Sequence, residues 1–205
     1  MLTQSDAAAF ERCMAVGGIA VFPSDTVYGL ACDPDSREAV DRLHAMKERR
    51  PGKPSAVMFF SLDLAFAAIP ELGPRTRSAA EGLLPDAVTL LVPNPQRRFP
   101  LACAPDPTAL GVRVPALAPQ AAALGAVNWP VLQSSANRSG APDPRLMSEI
   151  SDDIREAADL VLDAGELPGT PSTVVDLRDY EDAGTWRIVR QGALPEESVV
   201  AALAG

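Results

Sequence analysis

The segment FPSDTVYGLACDP (22–34) places a polar turn between two short apolar runs. The runs IAVFP (19–23) and TVYGLAC (26–32) are typical of neighbouring strands, since both are rich in β-branched, aromatic and other apolar residues. Hydroxyl and carboxylate groups at a strand end need hydrogen-bonding partners. The Ser-Asp-Thr cluster is therefore either a tight hairpin turn or part of a binding site. Gly29, inside the second run, indicates close approach of backbone or ligand.

Outward from this hairpin, strands interleave with helices. Further strands are predicted at 55–60, 88–92, 110–114, 130–135, 172–177 and 185–190. Helices are predicted at about 3–16, 62–69, 74–83, 117–124, 147–160 and 195–203. A further helix is predicted to begin at Asp35, because Glu38 three residues later completes a helix-start signal. Several strands are close in sequence, which favours a twisted mixed sheet flanked by helices. Prolines and glycines are scattered rather than collected into a linker, so we expect one α/β domain over residues 1–205.

Composition excludes several classes of protein. With 205 residues, 47% of them hydrophobic and 22% charged, the chain is not intrinsically disordered. Three cysteines without a CxxC pair exclude a disulfide framework and a cysteine-rich zinc site. A single histidine, His44, makes histidine-based metal or triad chemistry hard to build, so we expect no protein-held metal site. The sequence shows no membrane span and no signal pattern, which predicts a soluble, cytoplasmic protein.

The charge distribution predicts one anion-binding segment. The chain has 18 basic and 27 acidic residues, a net charge of −9, yet both of its lysines lie in KERRPGK (47–53). A general nucleic-acid binder would spread its basic residues along a face. Concentrated lysine and arginine instead favour a phosphate site, although no GxxxxGK[ST] loop occurs. The alternative is a solvated helix end.

Polar groups at strand ends are the other candidates. In QSSANRSG (133–140), Ser135 and Asn137 are two apart and face the same way if the chain is extended; the alternative is an ordinary turn. Arg113 in GVRVP and Arg190 in RIVRQG need an anionic partner if they point inward, and otherwise face solvent.

Two more segments stay open on the residues alone. PSTVVD (171–176) places two hydroxyls at the start of a strand, or marks a simple turn-to-strand boundary. The acidic stretch 149–182 is either a solvated helix face or a docking surface for a partner.

Six motifs in order resemble one family. FPSDTVYGL, KxRxxxKP, GVRVP, SSANRSG, STVVD and IVRQGAL, spread over about 18–194, resemble the YrdC/TsaC family of threonylcarbamoyl-AMP synthases. The resemblance implies a single YrdC/RibB-like α/β domain with a positively charged cleft. It implies that L-threonine, bicarbonate and ATP, with Mg²⁺, give threonylcarbamoyl-AMP and pyrophosphate. Threonylcarbamoyl transferase partners would then modify tRNA, and the protein itself could contact tRNA.

The resemblance also implies roles for nine residues. The catalytic, nucleotide-handling set would be Lys47, Arg49, Ser135 and Asn137, with Lys53 and Arg190 also on the ATP side. The L-threonine side would be formed by Thr26, Arg113 and Ser172. We expect all five basic groups of this set to converge on one concavity.

The chain departs from the family pattern at four places. Ser24-Asp25 replaces the family's usual Thr-Glu, and LLPDAVT (83–89) replaces WPGPLT. Met58 occupies the position of a histidine, and Arg50 that of a proline. Two rival functions remain at this point. One is a carbamoyl-adenylate enzyme of another pathway, which would need a further zinc-finger or transferase domain. The other is a non-catalytic RNA-binding module, which the acidity and the few aromatic residues disfavour.

Overall fold

Nine strands form one sheet in the part of the chain that the structure describes. The computed structural model describes residues 1–49 and 52–204, so Arg50 and Pro51 of the basic segment lie outside the described residues. The strands are β1 (Ala20–Pro23), β2 (Tyr28–Cys32), β3 (Ala56–Met58), β4 (Val88–Pro93), β5 (Ala109–Arg113), β6 (Val131–Ser135), β7 (Leu160–Val161), β8 (Thr173–Asp176) and β9 (Arg187–Arg190). Their order across the sheet is β7-β1-β2-β6-β3-β5-β4-β8-β9.

The strand pairing confirms the predicted mixed sheet. Strands β1–β2, β2–β6, β3–β6, β4–β5 and β8–β9 pair antiparallel, whereas β1–β7, β3–β5 and β4–β8 pair parallel. The opening segment is a hairpin in which Pro23 pairs with Tyr28 across the polar turn. Gly29 is needed for close packing within the sheet, because a Cβ there would lie 2.9 Å from Phe22 Cε1 and 3.0 Å from Gln133 Nε2.

Eight α-helices accompany the sheet in the described part of the chain. They are α1 (Gln4–Ala15), α2 (Arg37–Met46), α3 (Leu62–Ala68), α4 (Pro74–Leu83), α5 (Pro100–Cys103), α6 (Asp152–Ala157), α7 (Tyr180–Ala183) and α8 (Glu196–Leu203). Two 3₁₀ helices cover Pro119–Ala126 and Met147–Glu149. None of the helices described combines the length and the hydropathy of a membrane span.

Three helix predictions need correction. Helix α2 is capped by Ser36, whose Oγ accepts a hydrogen bond from Ala39 N at 3.3 Å, and not by Asp35. The prediction of a continuous helix at 147–160 is wrong. Extended backbone at Ile150 and Ser151 separates a short 3₁₀ helix from α6, and Leu160 belongs to β7. The predicted helix at 117–124 is a 3₁₀ helix.

The two faces of the sheet are covered unequally. One face packs Leu30, Leu90 and Val175 into the larger core, against α2, α4 and α8 among others. The opposite face is covered at one end by α1 and the 3₁₀ helix Pro119–Ala126, through a smaller core that includes Phe10, Phe22, Met58 and Phe60. The rest of that face is open, and it carries the candidate site.

Candidate active site

A cavity of about 470 Å³ lies on the open part of the sheet. Its floor is formed by Gln133, Ala56, Gly111 and Leu91, which lie side by side on β6, β3, β5 and β4. The two small residues at the centre leave room for a ligand to lie against the sheet. Successive residues alternate between faces, so these positions face the cavity while Val57 and Val112 enter the core.

Charged groups surround this floor. The lining carries four arginines and two aspartates among the described residues: Arg49, Arg113, Arg178, Arg190, Asp106 and Asp143. Arg113 and Arg178 pair with the carboxylates of Asp25 and Asp176, so within the described residues Arg49 and Arg190 are the lining cations that favour an anionic ligand.

Six of the nine residues assigned by resemblance line the cavity: Thr26, Arg49, Arg113, Ser135, Ser172 and Arg190. The other three, Lys47, Lys53 and Asn137, are not among the residues that line it. The expectation that five basic groups converge is therefore correct for the three arginines and wrong for the two lysines. Lys53 is exposed, and only its backbone carbonyl approaches the site, where it accepts from Arg49 Nη2 at 3.4 Å.

Lys47 is buried because the C-terminal end of α2 packs against the loop that follows β6. Its side chain is 2% exposed, and its ammonium donates to the carbonyl of Ser135, to the carbonyl of Asn137 at 2.6 Å and to Asn137 Oδ1 at 3.1 Å. Three protons thus meet three acceptors. Burial, and secondly the nearby Arg49, lowers the pKa of Lys47 to about 8, although Asp143 opposes this change.

Asn137 closes the same loop. Its amide nitrogen donates to Ala141 O at 2.5 Å and to Asp143 Oδ1 at 3.1 Å, while its Oδ1 accepts from Ser135 Oγ at 2.6 Å. Ser135 and Asn137 therefore do come together, as their spacing predicts. Within the two motifs, Lys47 and Asn137 therefore hold the loop, whereas Arg49 and Ser135 line the cavity.

Arg49 is fixed at the cavity wall by β6 and the segment before β3. Its Nη1 donates to Ser134 Oγ at 3.0 Å and its Nη2 donates to Pro54 O at 2.6 Å. Burial lowers the pKa of its guanidinium, which still remains charged because arginine does not lose its proton in proteins. A fixed, planar cation of this kind can bind a phosphate or carboxylate with two hydrogen bonds.

Arg113 already has an anionic partner, which sequence reasoning missed. Its Nη2 donates to Asp25 Oδ1 and to Thr26 Oγ1, the latter at 2.7 Å, while Asp25 Oδ2 accepts from Ala116 N at 3.2 Å. The Arg113 and Asp25 side chains are 4% and 3% exposed. The sequence did contain a signal for this pair, because an arginine that points into the protein requires an anionic partner and Asp25 is the carboxylate in the polar turn. Burial raises the pKa of the Asp25 carboxyl, and the neighbouring Arg113 opposes this change.

The STVVD and IVRQG motifs meet beside Arg113. Ser172 Oγ lies 2.9 Å from Thr89 Oγ1, and Arg190 Nη2 donates to Ser172 O at 2.7 Å. The positive charge of Arg190 contributes to lowering the pKa of Arg113, after the larger effect of burial. Ser172, Arg113 and Arg190 therefore form one end of the cavity, and Arg49 with Ser135 lies toward the other strands.

Comparison with known sequences matches this chain to one family over most of its length. The Sua5/YciO/YrdC family model, described as Telomere recombination, matches residues 12–192. A threonylcarbamoyl-AMP synthase of Chromohalobacter salexigens is 34% identical over 170 residues, which cover 80% of this chain and 89% of that protein. One from Alkalilimnicola ehrlichii is 31% identical, with 86% and 90% covered.

Solved structures have the same fold. Escherichia coli YciO superposes with a TM-score of 0.78 at 24% identity, covering 97% of this chain and 95% of its own. Pyrococcus abyssi Sua5 complexed with L-threonine gives a TM-score of 0.83 at 24% identity; it covers 98% of this chain but only 58% of its own. From the family match and the identity to its relatives, the chain belongs to the Sua5/YciO/YrdC family.

Proposed function

We propose that this protein is a threonylcarbamoyl-AMP synthase. It would join L-threonine, bicarbonate and ATP into threonylcarbamoyl-AMP and release pyrophosphate, a nucleotidyl transfer that serves tRNA modification. The observation that carries the proposal is that one cavity holds Arg49 and Ser135 together with Thr26, Arg113 and Ser172. The relatives that bear this enzyme name, and the fold shared with a Sua5 that binds L-threonine, support it.

The chemistry suits a site built from fixed cations and hydroxyls. Threonine's amine and bicarbonate give a carbamate and water, and a carbamate oxygen then attacks the α-phosphorus of ATP as pyrophosphate leaves. These steps need positioning and charge neutralisation more than a proton-transferring side chain. His44 does not line the cavity and would have no role in them.

On the nucleotide side, Arg49 and Ser135 would donate to the phosphates, while Arg190, beside Arg113 at the other end of the cavity, would add its positive charge where ATP and the amino acid meet. Lys47 and Asn137 would act by holding the loop that carries Ser135. Lys53 would contact only the part of a nucleotide that extends beyond the cavity.

On the amino-acid side, Arg113 would bind the α-carboxylate, and the hydroxyls of Thr26 and Ser172 would face the rest of the substrate. Preference for threonine over serine rests on one methyl group, which provides about 1–3 kcal/mol of discrimination.

The acidic groups present suit Mg²⁺ carried by ATP rather than held by the protein. No group of three or more histidine, cysteine, aspartate or glutamate side chains that could hold a metal occurs within residues 1–49 and 52–204. Mg²⁺ in nucleotide sites needs only one or two carboxylates, because phosphates and waters complete its shell. Two carboxylates line the cavity, Asp106 and Asp143, and Asp143 is the one beside the loop that carries Ser135, where such an ion would be approached. The ion would neutralise phosphate charge.

The remaining parts of the proposal concern the cellular context. We propose that residues 1–205 work as one domain in the cytoplasm and pass the adenylate to a threonylcarbamoyl transferase that modifies tRNA. Direct contact with tRNA would involve the exposed basic groups near the cavity, Lys53 and Arg190.

Pyrophosphate release tests the proposal. The purified protein is incubated with ATP and Mg²⁺, with L-threonine and bicarbonate each present or omitted. We expect release only when both are present, and a Glu71→Gln control should keep it, because the Glu71–Arg98 pair lies outside the cavity. Release that does not depend on threonine would contradict the proposal. Release with carbamoyl phosphate in place of both substrates would instead favour the rival carbamoyl-adenylate enzyme.

A further inference from the structure

We propose that Asp25 is a positioning residue that orients Arg113 to bind the α-carboxylate of the amino-acid substrate. The inference rests on the proposed function and adds to it a residue that has no assigned role. Asp25 is not itself among the residues that line the cavity, so it would act through Arg113 and not by touching substrate.

The hydrogen bonds of Arg113 are concentrated on one nitrogen. Nη2 donates to both Asp25 and Thr26, whereas within the described residues Nη1 donates to no protein acceptor. Nε is buried and has no partner there either. One edge of the guanidinium is thus anchored, and Nη1 remains available to an incoming oxygen.

The anchor is itself held from two sides. The second oxygen of Asp25 accepts from Ala116 N, in the segment that follows β5. Next to it, Ser24 Oγ accepts from Thr26 N and from Val27 N, each at 3.2 Å, and so stabilises the turn. Asp25 therefore joins the β1–β2 turn to the end of the strand that carries Arg113.

The charge balance around Arg113 supports a role for both Asp25 and Arg190. A buried guanidinium without a counter-ion is strongly unfavourable, so Asp25 stabilises Arg113 before substrate arrives. A substrate carboxylate would then add a second anion to this pair. Arg190, whose charge already influences Arg113, would supply the compensating cation.

The test compares a substrate that has the carboxylate with one that lacks it. Binding of L-threonine and of L-threoninamide is measured by calorimetry for the wild type, Asp25→Asn and Asp25→Glu, together with the KM for ATP. Asp25→Asn should reduce the preference for threonine over threoninamide by about tenfold or more. The KM for ATP should stay within about twofold, and Asp25→Glu, which keeps the charge, should retain most of the preference.

A Glu71→Gln variant, which breaks a charge pair outside the cavity, should leave both quantities unchanged. If Asp25→Asn is unfolded by circular dichroism, Asp25→Ser takes its place with the same expectation. An unchanged preference in the folded variant would overturn the inference, as would equal losses for threonine and ATP. A wild type that neither binds threonine nor releases pyrophosphate would overturn the proposed function as well, and this outcome is distinct from the first two.

Discussion

The Nζ of Lys47 lies 3.1 Å from Oδ1 of Asn137, which joins the end of α2 to the loop after β6. The basic segment and the Ser-Asn motif, nearly ninety residues apart in sequence, are therefore one hydrogen-bonded unit. In this unit a lysine supports the wall of the cavity, and the nearby Arg49 lines the cavity itself.

Replacing Lys47 by methionine should reduce activity through the loop. Each buried acceptor that loses its donor costs about 1–3 kcal/mol. We expect the Lys47→Met protein to fold with a lower Tm and to lose about 100-fold or more in kcat/KM for ATP. Steady-state kinetics and thermal unfolding check this. Wild-type kinetics in the variant would show that Lys47 does not support the cavity and is only a residue at the end of α2.

The same contact predicts a pH dependence. The pKa of Lys47 is lowered to about 8, so the ammonium is charged at neutral pH and loses a proton as the pH rises through that value. A neutral amine has two N–H groups for three acceptors, so the loop should loosen. We expect the KM for ATP to rise above about pH 8 in the wild type and to show no such inflection in Lys47→Arg. A flat profile in the wild type contradicts the assignment.

Arg49 should matter for the nucleotide and not for threonine. Its fixed guanidinium faces the cavity, so Arg49→Gln removes a cation expected to contact phosphate. We expect the KM for ATP to rise about tenfold or more, with little change in the KM for threonine. Arg77→Gln is the matched control, because its ion pair with Glu81 lies on the outer surface of α4. Equal kinetics for the two variants would remove Arg49 from the nucleotide site.

Gly29→Ala tests the packing of the β1–β2 hairpin. The added Cβ would meet Phe22 at 2.9 Å and Gln133 at 3.0 Å, so a loss of about 1–3 kcal/mol in the free energy of unfolding is expected. Gly125→Ala serves as the control, since a Cβ at that position would meet no atom within 4 Å beyond its own adjoining backbone and chain neighbours. Urea unfolding of both variants measures the difference, and equal stabilities would disprove the close approach.

Asp176 should stabilise the fold in a pH-dependent way. Its carboxylate accepts from Arg178 and Arg187, and these contacts, chiefly that with Arg178, hold its pKa at about 2 against an ordinary 3.8. The stabilisation is therefore present above the unfolded pKa and is lost as pH falls toward 2. Because both arginine partners are partly or fully exposed to solvent and screened, we expect Asp176→Asn to lower the free energy of unfolding by about 1 kcal/mol near neutral pH and by less near pH 3. A difference that does not change with pH would contradict this.

Much of the sheet follows from local sequence patterns. The runs ending in Pro23 and Cys32 are strands because their apolar residues lie between clear turn signals, and their pairing as a hairpin needs only a short connection. The helix predicted at 147–160 fails for a tertiary reason. Ile150 is buried and breaks the helix, while Leu160 pairs with Ala20 at the far edge of the sheet.

The site was harder to predict than the fold, because its contacts are long-range. Motif residues gave Arg49, Arg113 and Ser172 as candidates, and all three line the cavity. No local pattern shows that Lys47 turns away from it, or that Asp25 pairs with Arg113 across 88 residues. Such pairings depend on strand order, since β5 lies three strands away from β2 in the sheet.

Detection of the adenylate product tests the proposed function. The wild-type protein is incubated with ATP, Mg²⁺, L-threonine and ¹³C-bicarbonate, and the nucleotides are analysed by mass spectrometry. We expect threonylcarbamoyl-AMP that carries the label, formed only when all three substrates are present. AMP or ADP without any labelled adenylate, from protein shown to be folded, would contradict the proposed function.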